Sequence, residues 1–178
     1  IRMWICNPEP AFPAVIFGAK VLPVEPYQED RGTGLVRHVL VRHSRATGRV
    51  LVALVTAAPV LPGARAFVSK VRELCPQVET IVQNINPRRS SAVLGPREKV
   101  LWGRGYIEDT LCGVRFRLGA SSFYQINPEQ TEVLYRTALD GAGLDGTQTV
   151  VDAYCGVGTI GLAAAGQARR VLGVEFNP

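Results

Sequence analysis

Apolar and polar positions change rhythm along this chain, and each rhythm predicts a different element. From Leu35 to Arg42 they partly alternate, and a β-rich apolar run from Arg49 to Thr56 follows across the polar turn Ser44 to Gly48. Two such runs joined by turn residues predict a β-hairpin, with Gly32 and Gly34 forming the turn that leads into it. Between Ala64 and Leu74, the apolar positions Ala64, Phe67, Val68, Val71 and Leu74 share one helical face, and Pro76 ends the pattern. A strand is predicted over Thr80 to Ile85, with further short β segments near Ala92 to Leu94, Val100 to Trp102, Tyr106 to Thr110 and Val114 to Leu118. Residues 1–120 therefore read as an α+β unit rich in antiparallel strands. The opening, with Pro8, Pro10 and Pro13, gives no periodic signal beyond a short apolar stretch from Ala14 to Val24 and is left unassigned.

A second grammar begins at Asn127. Asn127 is a good N-cap, Pro128 suits the first helical position, and Gln130 stands where a capping-box partner reaches back. The helix is expected to run to about Leu139, stopped by Gly141 and Gly143. Gln148 to Tyr154 then reads as a buried strand, Cys155 to Gly158 as a tight loop, Thr159 to Ala168 as a small-residue helix, and Arg170 to Glu175 as a second strand. Residues 121–178 are thus the first βαβ part of an α/β sheet. A doubly wound sheet needs several more strands to cover its faces, so the chain is expected to be a fragment or to be completed by something else.

Charge divides along the same line. Residues 1–120 carry 17 basic against 9 acidic residues, and residues 121–178 carry 3 against 6. The basic surface belongs to the first part and favours a polyanionic partner. Within it, residues 31–49 hold Arg31, Arg37, Arg42, Arg45 and Arg49 with no acidic residue. Guanidinium groups bind phosphate oxygens bidentately, so Arg37 and Arg42 are candidates to position an RNA backbone; the other reading is a solvated hairpin face. His38 and His43 have no carboxylate or Cys at ligand spacing, and no metal site is expected. Cys6, Cys75, Cys112 and Cys155 form no C-x-x-C pair, which points to reduced thiols rather than a disulfide framework or a closed zinc site. Apolar runs such as Val50 to Val55 are far too short to cross a bilayer and no secretory signal is recognisable, so a cytoplasmic location is expected.

The loop Asp152-Ala153-Tyr154-Cys155-Gly156-Val157-Gly158-Thr159 places two glycines where a strand hands over to a helix. Glycine accepts positive φ and lets a ligand approach the backbone. Glu175, at the end of the next strand, is suited to hold the two hydroxyls of a ribose. A turn of this kind also occurs where a helix merely packs tightly on a sheet, so the spacing leaves a structural turn open beside nucleoside binding. Gly161 follows Gly158 too closely to complete the dinucleotide fingerprint, which favours a nucleoside without phosphate over NAD.

The stretch Ser121-Ser122-Phe123-Tyr124-Gln125-Ile126-Asn127-Pro128-Glu129-Gln130, the Asp152 to Thr159 loop and Gly173-Val174-Glu175 together resemble the RNA uracil-5-methyltransferase family, most of all its bacterial 23S ribosomal RNA members. Tyr27, Gly32-Thr33-Gly34-Leu35-Val36-Arg37-His38 and Gln83-Asn84-Ile85-Asn86 also look like family segments, so the likeness spans roughly residues 25–178. The resemblance implies a Rossmann-like domain that begins at residue 121 and binds S-adenosylmethionine. It implies that Gln125 contacts the cofactor, that Tyr154 and the loop from Gly156 to Gly158 line its pocket, and that Glu175 binds its ribose. Asp152 either supports the loop or approaches the cofactor amino group. Gln125 has a second reading as a capping residue of the following helix. Phe123 is a candidate to hold an extruded base, with a core aromatic as its alternative.

The family's chemistry adds a Cys thiolate to carbon 6 of uracil, methylates carbon 5, and removes its proton with a carboxylate. The resemblance implies that both groups lie beyond Pro178, so this chain is expected to hold part of the cofactor site, to carry no catalytic residue, and to be inactive alone. Cys155 sits in the cofactor loop and reads as a packing residue rather than a substitute nucleophile. Many members carry an iron–sulfur cluster on four cysteines; the closely spaced N-terminal three have no counterpart here, and the surroundings of Cys6 match the fourth poorly. The expected substrate is RNA, ribosomal rather than transfer. The alternatives are a non-catalytic RNA-binding module built on the basic part, and a small-molecule methyltransferase, for which the long basic region would have no partner.

Overall fold

The hairpin expected from the alternating stretch is present as strands β2 (Val36–His43) and β3 (Val50–Thr56), paired antiparallel from Val36 opposite Thr56 to His43 opposite Val50. Ser44 closes the turn: its N–H donates to the Arg49 carbonyl at 2.8 Å, and its hydroxyl accepts from the Thr47 N–H at 3.1 Å. The structure, a computed structural model, describes residues 2–6 and 24–176; the proline-rich opening and most of the apolar stretch after it lie outside the described residues.

Strand β1 (Arg2–Cys6) lies parallel beside β2. Helix α1 (Ala64–Leu74) has the range its apolar spacing predicts, and it carries the chain from β3 back to β4 (Val78–Ile85), which pairs parallel with β3. Strand β5 (Arg97–Trp102) completes the order β1-β2-β3-β4-β5 by pairing antiparallel with β4. The sheet is therefore mixed. Its β2–β3 pairing is the antiparallel one expected and β4–β5 is antiparallel as well, while the return through α1 makes β3–β4 parallel, as a helical crossover requires.

Strand β3 is buried along its whole length, as the central strand of a covered sheet should be. Val39, Val41, Val52 and Leu54 of the sheet form the core with Phe67 and Val71 of α1. Full burial of each such side chain stabilises the fold by about 1.5–3 kcal/mol.

The predicted strand at Ala92 to Leu94 does not form. Instead, the Ala92 and Val93 carbonyls accept from the Asn86 side chain at 2.7 and 3.1 Å, so their hydrogen bonds go to an amide rather than to a neighbouring strand. Buried amides brace this whole end of β4. The Gln83 side chain donates to the Thr56 hydroxyl at 2.9 Å, and Asn84 both donates to the Gly95 carbonyl at 3.1 Å and accepts its N–H at 2.7 Å.

Strands β6 (Ile107–Leu111) and β7 (Val114–Leu118) form a separate two-stranded sheet. Cys112 and Gly113 both take positive φ in its turn, the backbone that a two-residue hairpin loop favours. The chain divides into two compact units, residues 1–107 with 118–121, and residues 108–117 with 122–178.

In the second unit, helix α2 (Pro128–Ala142) starts as expected, with the Asn127 side chain accepting from the Gln130 N–H at 3.1 Å. It runs through Gly141 and ends at Gly143, because Gly143 is the residue that adopts the left-handed cap, at φ 58°. Strand β8 (Thr149–Ala153), helix α3 (Thr159–Ala164) and strand β9 (Arg170–Val174) form the parallel βαβ unit. Two expectations are corrected here. Strand β8 is not buried, since β9 alone pairs with it among the described residues and Val151 stands exposed. Helix α3 stops at Ala164 rather than Ala168, its end turned by Gln167 donating to the Ala164 carbonyl at 2.9 Å. Among the described residues no helix is long and apolar enough to cross a membrane.

Candidate nucleoside site

The handover from β8 to α3 is held from both sides. On one side the Cys155 N–H donates to the Val174 carbonyl at 3.0 Å, tying the loop to the end of β9. On the other, the Asp152 carboxylate accepts the Gly161 N–H at 3.0 Å, satisfying one of the donors that a helix start leaves open. This contact accounts for the glycine at Gly161. A Cβ there would come within 2.8 Å of the Asp152 carboxylate, so the absence of a side chain lets the carboxylate reach the helix. Asp152 is engaged with the loop through its Oδ2, the contact that the first of its two alternatives expects.

Gly156 and Glu175 are brought together, the Gly156 N–H donating to the Glu175 carboxylate at 2.8 Å. That bond places a carboxylate over the loop. Gly156 has φ 55° and open space where a Cβ would stand, and Gly158 has φ 79°. Tyr154 also takes positive φ, at 67°, a conformation that costs a side-chain-bearing residue energy, and its ring is 89% exposed. Cys155 packs its thiol against Gly173, where an added Cβ would meet the sulfur at 3.0 Å. The Tyr135 hydroxyl of α2 and the Thr159 hydroxyl of α3 lie 2.7 Å apart, fixing the first residue of α3.

Gln125 lies in the segment that leads into α2. It lines an open groove of about 370 Å³ with Phe123, Tyr124, Ile126, Gln130 and Leu134, and no residue of the 152–158 loop is among the groove's described lining. Phe123 is 74% exposed there, so it is not a core anchor. Tyr124 beside it turns its hydroxyl inward and sets its ring 6.2 Å from that of Phe116. Burial, with the Asp109 and Glu132 carboxylates adding to it, pushes the Tyr124 phenol well above its ordinary range. Tyr124 therefore anchors the segment that presents Phe123 and Gln125.

The residues at the loop fit a nucleoside better than a nucleotide. A carboxylate, an exposed aromatic ring and two side-chain-free positions meet there, and neither 150–160 nor 171–176 contains a Lys or Arg to grip a phosphate. No group of three or more His, Cys, Asp or Glu residues placed to hold a metal occurs among the described residues.

No family model matches the chain. An uncharacterized RNA methyltransferase of Halalkalibacterium halodurans is 46% identical over 160 residues, covering 90% of this chain and 35% of the relative. Another, of Listeria monocytogenes, is 49% identical over 154 residues, covering 85% and 33%. Curated homologues named RNA methyltransferases match this chain at 41–49% identity. It spans about a third of the length of the curated relatives it matches. Among solved structures it is similar to the tRNA (uracil-54, C5)-methyltransferase of Pyrococcus abyssi in complex with S-adenosyl-L-homocysteine, with a TM-score of 0.66 and 26% identity over 83% of this chain and 35% of that one. Both findings are consistent with the uracil-5 family that the motifs resemble.

The structure corrects the part expected of two arginines of the first unit. Arg37 and Arg42 are buried, 3% and 7% exposed. The Arg37 guanidinium donates to the Glu29 carboxylate at 3.1 Å and to the Asn86 and Arg88 carbonyls, and it lies 4.8 Å from the centre of the Tyr27 ring. Arg42 donates to the Ala120 carbonyl at 3.4 Å. Both guanidinium groups are spent on partners inside the fold, as braces, instead of facing a phosphate. Arg31, Arg45 and Arg49 are the exposed members of the basic strip.

Proposed function

We propose that this chain carries part of the S-adenosylmethionine site of an enzyme that methylates carbon 5 of a uridine in RNA. One observation carries the reading: the Glu175 carboxylate is held 2.8 Å from the Gly156 N–H, over a loop whose two glycines leave the backbone open. S-adenosylmethionine, when bound, supplies an electrophilic methyl group. The residues of the chain bind and orient. Glu175 accepts from the ribose hydroxyls, Tyr154 offers its exposed ring to the adenosyl group, and Gly156 and Gly158 allow close approach. Asp152 acts indirectly, by fixing the start of α3. The groove of Phe123 and Gln125 is the acceptor side, where Phe123 stacks on the extruded base and Gln125 orients cofactor or base through its amide.

The acceptor we propose is 23S ribosomal RNA, on the likeness of residues 121–130 and 152–175 to those enzymes. Transfer RNA is the second reading, favoured by the Pyrococcus neighbour. The intact protein, given S-adenosylmethionine labelled in its methyl group and total RNA from a strain lacking the gene, should place label in 5-methyluridine after digestion to nucleosides. Fractionation then separates the two acceptors. Label in a methylated cytosine, a ribose 2′-oxygen or no nucleoside at all would overturn the proposal.

A further inference from the structure

Two segments that the cofactor site does not use, Gly32-Thr33-Gly34 and Gln83-Asn84-Ile85-Asn86, build one feature of the first unit. It is an open cleft of about 560 Å³, within the usual range of ligand pockets of about 300–1,000 Å³. Its lining comes from Tyr27 and Glu29, from His38 and the buried Arg37 on β2, and from the exposed loop residues Arg89, Ser90 and Ser91.

The exposed loop is braced from inside. Arg37 ties Glu29 and Tyr27 to the Asn86 and Arg88 carbonyls. Asn86 holds the Ala92 and Val93 carbonyls and accepts the Arg88 N–H at 3.2 Å, while Asn84 holds Gly95 from both its N–H and its carbonyl. A buried, satisfied amide network is a means of holding surface groups in one geometry. The groups held here are those of residues 89–91.

Charge identifies what they fit. Arg37 is matched by Glu29, but Arg89 has no acidic partner among the described residues. Its guanidinium lies against Gly32, where an added Cβ would come within 2.3 Å of Nη2, so the glycine makes room for it. One unmatched guanidinium beside two serine hydroxyls suits a single phosphodiester charge. Tyr27 adds an aromatic surface of the kind unpaired bases stack on.

We infer that this cleft binds one phosphodiester-linked nucleotide of single-stranded RNA, with Arg89, Ser90 and Ser91 on the phosphate and Tyr27 on the base. The inference rests on the proposal that RNA is the acceptor. The test is fluorescence anisotropy of the intact protein with an unstructured RNA of about twelve nucleotides and with the same RNA paired into a duplex, at stepped salt. Arg89→Ala should weaken single-strand binding about fivefold and flatten its log–log salt slope by about 0.7, the share of one phosphate contact. Ser90→Glu, which puts a negative charge at the cleft, should weaken it further, and duplex binding should respond to neither. Both side chains are exposed, so thermal melts should match wild type. Wild-type affinity and slope in both variants would overturn the cleft, as would a duplex that binds equally well and loses equally. If wild type binds S-adenosylmethionine but no RNA, the acceptor reading falls with it; if wild type binds RNA and the variants are indifferent, the cleft falls alone.

Discussion

Replacing Glu175 by Gln tests the carboxylate at the centre of the proposed cofactor site with little change of shape. In the folded chain the carboxylate accepts the Gly156 N–H at 2.8 Å, and a Gln carbonyl can still accept it. The residue is exposed, so stability should change by less than about 1 kcal/mol. Binding is another matter. A carboxylate can accept from both ribose hydroxyls, whereas the amide offers one oxygen and turns a donor toward the other. Losing one hydrogen bond to a charged group costs about 1.5–3 kcal/mol, which corresponds to about a 10- to 150-fold rise in Kd. Titration calorimetry of the intact protein with S-adenosylmethionine and with S-adenosylhomocysteine should give that loss for both, because they share the ribose and differ in the methyl group. A Kd within about twofold of wild type would refute the ribose assignment. A loss confined to the methyl donor would move Glu175 from the sugar to the sulfonium.

Tyr154→Gly should leave the melting temperature unchanged or raise it, since relief of about 1–3 kcal/mol of backbone strain at φ 67° outweighs glycine's entropic cost of about 0.5–1 kcal/mol, while affinity for S-adenosylmethionine falls with the ring. Gly161→Ala gains about 1 kcal/mol of helix propensity but pushes a methyl to within 2.8 Å of the Asp152 carboxylate; the strain, about 1–3 kcal/mol, and the lost cap should leave a net loss in urea unfolding. Arg37→Met should cost about 2–4 kcal/mol by the same measurement, because the Asn86 and Arg88 carbonyls lose their donor; Glu29, 56% exposed, is rehydrated. Hydrogen bonds from Thr147 hold the Asp145 carboxyl below its ordinary value, so the stability it lends the 145–148 turn is present above the ordinary carboxylate range and is lost as pH falls through the lowered value; the Thr147 amide resonance should report this on acid titration.

Periodicity revealed those elements that bury one face. Helix α1 matches its apolar spacing from Ala64 to Leu74, and β2 and β3 match their runs to within a residue. Beyond the hairpin, pairing direction was not legible, because a short strand such as Val78 to Ile85 serves a parallel or an antiparallel neighbour equally well. The basic strip misled for a related reason: charge along a strand does not say which side chains turn inward, and Arg37 found Glu29 and two carbonyls inside the fold. A signal was present in Gln83, Asn84 and Asn86, three amides in and beside one strand, which must find partners if buried. At the site, the turn glycines were legible from their spacing, and the structure sets Glu175 against one of them. The contact of Asp152 with Gly161 was not legible, because it depends on two backbones approaching within the reach of one short side chain.

That contact and the one between Gly156 and Glu175 are the same device used at the two ends of one loop. In each, a carboxylate from the end of a parallel strand takes a backbone N–H of the strand-to-helix turn. The Asp152 contact is part-buried and fixes the helix start. The Glu175 contact is exposed and holds the carboxylate in place, so the ribose proposed to bind there would meet an acceptor that is already oriented. The strained backbone of Tyr154 belongs to the same arrangement, since the Cys155 N–H that binds Val174 and the turn that follows it leave the preceding residue little choice of φ. If Tyr154→Gly binds S-adenosylmethionine as tightly as wild type, the strain serves the turn alone and the exposed ring is not part of the site.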